Sequence, residues 1–341
     1  MSKTAYDPIA PWFVAAEALG EFIGIRFGQI APGKTAPEWT FLRHAEFDGI
    51  GGLADILRRR GATVEALPQI KHSGEPSLMP LLKMTPKFLK VRHRLKWEAV
   101  ELNGTAEMAA QPAPAVAWHV FDEEMTAAVR QGCRRDGVTV NTFLLKHLTG
   151  AIRPFLADKS ASVPWMIPVN LRGKVVRDRD TANFSSYISV KVGPEEAAQS
   201  IHRNIHAALE RQDHWANWFA YDLGRFTTHG IRKFLIKYEL ATAEWNLGGF
   251  SNLGEWDPGK KIRQPDCLGD WLFCPPVLRF QRIGAGCMTF QNRLSLLMQA
   301  HPELTTDPAV PKAWIRNWVE EIKRALAAGA SKPAAATVNA T

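Results

Sequence analysis

The chain has 341 residues, 46% of them hydrophobic and 22% charged, with a net charge of +8. Its length points to two lobes or one large two-part fold, and its composition excludes a disordered chain. No apolar run reaches the roughly 18–20 residues that span a bilayer. The N-terminus, MSKTAYDPIAPW, lacks the basic-then-apolar pattern of a secretory leader, and a cytoplasmic location is the expectation. The four cysteines, Cys133, Cys267, Cys274 and Cys287, have no CxxC spacing, which argues against a zinc knuckle or a disulfide framework. The positive charge favours an anionic partner without choosing among nucleic acid, anionic lipid, a phosphate-bearing cofactor and an acidic carrier protein.

In chain order, 21–30 and 38–44 read as strands joined by the turn-rich APGKTAP. In the second, Trp39, Phe41 and Arg43 share one face, and Thr40, Leu42 and His44 the other. The period then changes: Ile50, Leu53, Ala54 and Leu57 form a helical stripe, with Asp48 near its start and Gly61 as a stop. Residues 62–98 are irregular and Pro-interrupted. Within them, KMTPKFLKVRHRLK (83–96) holds six Lys/Arg; Pro86 breaks any long helix, and no nucleic-acid-binding motif surrounds it. It reads as a solvated face or, with some of the twelve tryptophans, as a lipid-surface contact.

A linker over 103–116 leads to a strand at 117–121 and a capped helix at 122–137. A long apolar helix over 138–158 follows, with Asn141 near its start, and its composition suggests burial against a sheet. Strands are expected at 163–172 and 183–192, helices over 195–245, and a strand–loop at 248–256. Residues 277–301 read as two strands joined near Gly284 and Gly286, and 309–326 as a final amphipathic helix. His147 reads as a packed histidine. His202 and His206 have a metal-compatible i, i+4 spacing, but no recognisable third ligand accompanies them, and a solvated helix face is expected.

One string carries chemistry. HAEFDG (44–49) has the form H-x-x-x-D-G and places a histidine where a strand meets a helix. There an imidazole can face a cavity from a rigid support, and its ordinary pKa near ~6.5 suits a general base. The residues alone also allow a hydrogen-bonded core histidine followed by an N-capping aspartate.

FLRHAEFDGIGGLADIL resembles the active-site segment of the chloramphenicol-acetyltransferase-like acyltransferases, whose signature is HHxxxDG. That superfamily includes the condensation domains and the wax ester synthase/diacylglycerol acyltransferases. VTVNTFLLKHLTGAIRPFL (138–156), PVNLR (168–172) with Asn183-Phe184, and FSNLG (250–254) are similar to later family segments in the same order. The resemblance spans about residues 38–326. It implies an α/β fold of two chloramphenicol-acetyltransferase-like lobes, each a mixed β-sheet with flanking helices, meeting at a central tunnel. The lobes are expected at 1–116 and 117–326, followed by a disordered tail at 327–341.

By the same resemblance, His44 is the general base that deprotonates an acceptor, and Ser251 stabilises the tetrahedral oxyanion. Asp48 pairs with a distant arginine, here Arg172, as scaffold, while Gly49 gives room and backbone freedom for the turn. Asn183 and Asn252 line the tunnel. The implied reaction moves an acyl group other than aminoacyl from coenzyme A, or from the phosphopantetheine of an acyl carrier protein, to an alcohol or amine. No metal, bound cofactor or nucleic acid is implied, and peripheral membrane contact is allowed. Two departures motivate an alternative, a catalytically silent module that binds an acyl thioester or carrier protein. Arg43 replaces the first histidine of the signature, and only 43 residues precede His44. The DFGWG motif of the plant acyltransferases is absent.

Overall fold

A computed structural model describes residues 7–21, 23–64, 66–70, 79–80, 82–83, 95–98, 115–242, 246–256 and 267–330. Helix α1 (Ala10–Glu17) precedes the hairpin β1 (Gly24–Ile30) and β2 (Glu38–Arg43), and then α2 (Gly49–Arg59). Strand β3 (Val116–Val120) leads to α3 (Glu123–Arg135), α4 (Val140–Ile152), β4 (Val163–Asn170) and β5 (Ser185–Val192). Helices α5 (Ala198–Glu210), α6 (Asp213–Asp222) and α7 (His229–Thr242) follow. The chain continues with β6 (Gly248–Trp256), β7 (Asp270–Cys274), β8 (Ile283–Phe290), β9 (Arg293–Ala300) and α8 (Ala309–Ala330).

Two sheets organise these elements. The smaller is antiparallel, in the order β2-β1-β7; the larger has the order β3-β9-β8-β6-β4-β5, with β4, β6 and β8 mutually parallel. This is the mixed α/β architecture expected from the sequence. A cut at 116/117 falls inside β3, and β7, far beyond that cut, completes the smaller sheet. The strand DWLFC reaches back because Trp271 and Phe273 bury against Phe27 and the apolar stripe of α2, while Leu272 and Cys274 pack toward Leu297 of β9.

Local chemistry fixes the helix starts. Asp48, Asp122 and Thr139 each accept the backbone N–H three residues on, from Gly51, Met125 and Thr142. Thr139, two residues before Asn141, therefore caps α4. As its composition suggested, α4 is buried. The Trp165 indole donates to Thr149 Oγ1 and the Trp318 indole to Leu144 O, tying β4 and α8 to its two sides.

The expected turn at Gly284 and Gly286 is displaced. Those glycines lie mid-strand, and the turn is Gln291–Asn292, with φ of 49° and 60° as a tight hairpin requires. A Cβ on Gly286 would stand 1.9 Å from Phe273 O, and one on Gly284 2.7 Å from Pro275 O. Glycine there lets β7 lie directly on β8. At the C-terminus α8 runs to Ala330, so the expected tail begins as helix, and 331–341 lie outside the described residues. Most of 83–96 and of the 103–116 linker also lies outside them.

Candidate active site

His44 leaves β2 with its backbone N–H bonded to Ile23 O at 2.9 Å. Its Nδ1 lies 2.8 Å from Phe47 O. A carbonyl only accepts, so Nδ1 carries the proton and the lone pair is left on Nε2. Asn183, 1% exposed, holds the same turn by donating from Nδ2 to His44 O at 2.7 Å. Its own Oδ1 accepts from the Ser185 N–H and hydroxyl. The imidazole stacks on Phe13 of α1, with centroids 5.0 Å apart. Burial lowers the pKa of His44 below the usual imidazole value, against the Phe47 carbonyl and the Asp48 charge, which raise it.

Asp48 is almost wholly occupied. Oδ1 accepts from Gly51 N at 2.7 Å and Arg172 Nη2 at 2.9 Å; Oδ2 accepts from Arg172 Nη1 at 2.7 Å and Phe184 N at 2.8 Å. Both side chains are buried. Arg172 also donates to the carbonyls of Asp180 and Ala182 and to Asn170 Oδ1, and its guanidinium lies over the Phe184 ring. One bidentate pair thus fastens the start of α2 to the loop between β4 and β5. Arg58 reinforces it with two bonds to Asp180, and Arg179 donates to Glu46 O.

Gly49 opens α2 with an ordinary negative φ, so its requirement is space rather than backbone freedom. A Cβ there would meet Leu253 at 2.6 Å and the Phe273 ring at 2.9 Å. Gly51, which the sequence reading did not single out, is more constrained, because a Cβ would lie 2.1 Å from Thr181 O. Gly51→Ala is expected to destabilise the protein by about 2 kcal/mol or more, since the obstacle is backbone. Urea unfolding measures this.

His44, Gly49, Asn183 and Ser251 all line one cavity of about 710 Å³. Its remaining wall is largely aliphatic and aromatic, including Phe13, Ile23, Met166, Phe273 and Leu278. Asn252, expected along the tunnel, is not among the lining residues. Alternation along β6 puts it on the face opposite Ser251, and its Oδ1 accepts from Gly254 N at 2.8 Å, shaping the strand's bulge. Arg43 points outward, as the strand alternation predicts, and pairs with Glu17 at 2.6 Å and Glu46 at 3.3 Å. The Glu17 pair ties α1, and hence Phe13, over the histidine.

The cavity also reaches Glu21, which sequence reasoning missed. Burial raises its pKa to about 7, with Arg279 Nε 2.9 Å away lowering it in part. His301 lies 3.9 Å from the other carboxylate oxygen. Glu21 carries no motif, and its partners are some 260–280 positions away, so no local signal could have identified it. His147 is buried against the edge of Phe143, and burial lowers its pKa to about 4. His202 and His206 are ring neighbours, and His202 Nδ1 bonds Thr142 Oγ1. Among the described residues no cluster of three or more His, Cys, Asp or Glu could hold a metal.

No family model and no curated protein matches the chain. Solved structures do, at low identity. The epimerization domain from the third module of tyrocidine synthetase B superposes with a TM-score of 0.54 at 12% identity, covering 88% of this chain and 71% of that one. The cyclization-docking bidomain of the peptide synthetase EpoB from Sorangium cellulosum gives 0.57 at 10% identity, covering 86% and 60%. A condensation domain that mediates chain release from the enacyloxin polyketide synthase gives 0.51 at 16% identity, covering 90% and 62%. The chain therefore shares the two-lobed α/β fold of these three domains. It spans less than two thirds of the length of two of these three neighbours.

Proposed function

We propose that the protein is an acyltransferase that moves an acyl group from a coenzyme A or carrier-protein thioester to an alcohol or amine, with His44 as general base. The observation that carries this reading is the fixed histidine. Phe47 O orients Nδ1–H, Asn183 holds the backbone carbonyl, and the ring stands in the cavity wall with Nε2 unprotonated. As the acceptor attacks the thioester carbonyl, Nε2 takes its proton. The new C–O or C–N bond forms, the C–S bond breaks, and the proton passes to the departing thiolate. Ser251, in the same wall, supplies a hydroxyl for the transient oxyanion. Enclosing both substrates in one cavity contributes to rate by fixing their approach. The carrier-protein donor is suggested by the assembly-line enzymes among the structural neighbours.

The test is release of free thiol from a panel of acyl thioesters with alcohol and amine acceptors. Absence of turnover with every pair, together with tight carrier binding, would favour the silent binding module instead. Arg43 at the signature's first position motivates that second reading. The sign of the pH effect is also fixed. The neutral imidazole is the active form, and its pKa is lowered, so kcat/KM falls only as pH drops below the ordinary histidine range. An acid limb centred above neutrality in the pH–rate profile would contradict the assignment.

A further inference from the structure

Three neutral amides are buried in the cavity wall with their hydrogen-bonding capacity only partly used. Gln281, Asn217 and Asn246 are 2%, 4% and 5% exposed, and all three line the chamber that holds His44. Asn217 donates from Nδ2 to Tyr187 O, and Asn246 accepts at Oδ1 from the Ser189 hydroxyl. Among the described residues, Asn217 Oδ1, Asn246 Nδ2 and both ends of the Gln281 amide have no protein partner. Buried polar groups are ordinarily paired, so amides left open in a cavity wall point to a ligand that pairs them.

The fold brings the three to one end of the chamber. Gln281 closes the tight turn Leu278–Gln281, in which each of these two residues donates its N–H to the other's carbonyl. The turn carries the side chain over β6, where a Cβ on Gly249 would lie 2.6 Å from Gln281 Nε2. Gly249 pairs with Met166 of β4, and Met166 with Ser189 of β5. Gln281 and Asn246 therefore stand at opposite ends of one row across three strands, with the bond of Asn217 to Tyr187 two residues along β5.

Charge limits what occupies that end. No Lys or Arg is among the described residues lining the cavity, and its carboxylate, Glu21, is already paired with Arg279 at 2.9 Å. An anionic group would be buried there without a countercharge. The open amides instead ask for a donor at Asn217 Oδ1, an acceptor at Asn246 Nδ2 and either at Gln281. A secondary amide meets both demands, because its N–H and C=O leave one planar unit on opposite edges. A hydroxyl must serve both from a single atom.

We propose that Gln281, Asn217 and Asn246 form a specificity subsite that binds an uncharged amide of the substrate. Where that amide lies along the substrate rests on the acyltransferase reading above. Gly249 and Ser251 share a face of β6 about 7 Å apart, a span that an extended chain covers in roughly six bonds. The amide is thus about six bonds from the carbonyl whose oxyanion Ser251 meets.

Calorimetric binding of two coenzyme A thioethers, which cannot be turned over, tests the subsite. One carries a plain decyl chain; the other carries a chain of equal length interrupted by an amide about six bonds from its first carbon. The protein is expected to bind the amide chain about tenfold more tightly, and Gln281→Met is expected to remove that preference. If Gln281→Met instead weakens both thioethers about tenfold, the amide that is read belongs to the thiol arm they share. The ligand-free variant is expected to melt no lower than the parent, since it loses an unpaired buried amide and no bond; Gln281→Leu provides a second version. The proposal is overturned if neither thioether binds, or if both bind alike and the variants change neither. A markedly lower melting temperature of both variants overturns it as well, because the amide would then be a structural bond. Amide-selective binding by a protein that releases thiol from no thioester would remove the acyltransferase reading and leave the subsite standing.

Discussion

Replacing His44 by Ala is expected to lower kcat/KM for acyl transfer by about 10²–10⁴-fold, the range that a positioned general base contributes. The melting temperature should fall modestly, because the ring packs on Phe13 but makes one good hydrogen bond, to Phe47 O, and no ion pair with a described residue. The structure separates the two effects. What fixes the turn is the backbone around His44, held by Ile23 O and by Asn183, and both contacts survive the substitution. Asn183→Ala removes the brace but keeps the base, so it should cost less rate. Turnover that survives His44→Ala would remove the base assignment altogether.

The second large effect is on stability. Asp48→Ala is expected to destabilise the fold by about 3–5 kcal/mol, the usual consequence of stranding one member of a buried ion pair. The Arg172 guanidinium would keep only neutral acceptors, and the N–H groups of Gly51 and Phe184 would lose their partner. Arg172→Leu should cost a comparable amount by stranding the carboxylate. In a double-mutant cycle the pair should couple strongly, since each single change already severs the same clamp. Urea unfolding of the three variants measures the coupling. An Asp48→Ala protein of full stability and reduced rate would place the aspartate in the chemistry instead.

The readable parts of the site are the local ones. The end of β2, the Asp48 cap and the stripe Ile50, Leu53, Ala54 and Leu57 follow from residue order, because strand and helix periods are short-range. Arg172, 124 positions from Asp48, came only from the family resemblance; no spacing rule connects them. Strand β7 went unseen because DWLFC is short and finds its partner, β1, more than two hundred residues earlier. Gly284 and Gly286 suggested a turn because glycine usually marks one. Their true cause, the backbone of Phe273 and Pro275 pressing on β8, is invisible in sequence.

The cysteines bear on the route an acyl group would take in the proposed reaction. All four are buried, and burial raises the pKa of Cys133, Cys274 and Cys287, so none of the three is poised as a thiolate acceptor. Transfer is therefore expected to be direct, from thioester to acceptor, with both in the cavity beside His44. The measurement that tests this most directly is thiol release after rapid mixing with acyl thioester, with and without acceptor, alongside intact-mass analysis of the protein. The account predicts thiol release only when acceptor is present and no mass increase at any time. A burst of thiol without acceptor, with the protein gaining the mass of the acyl group, would contradict it.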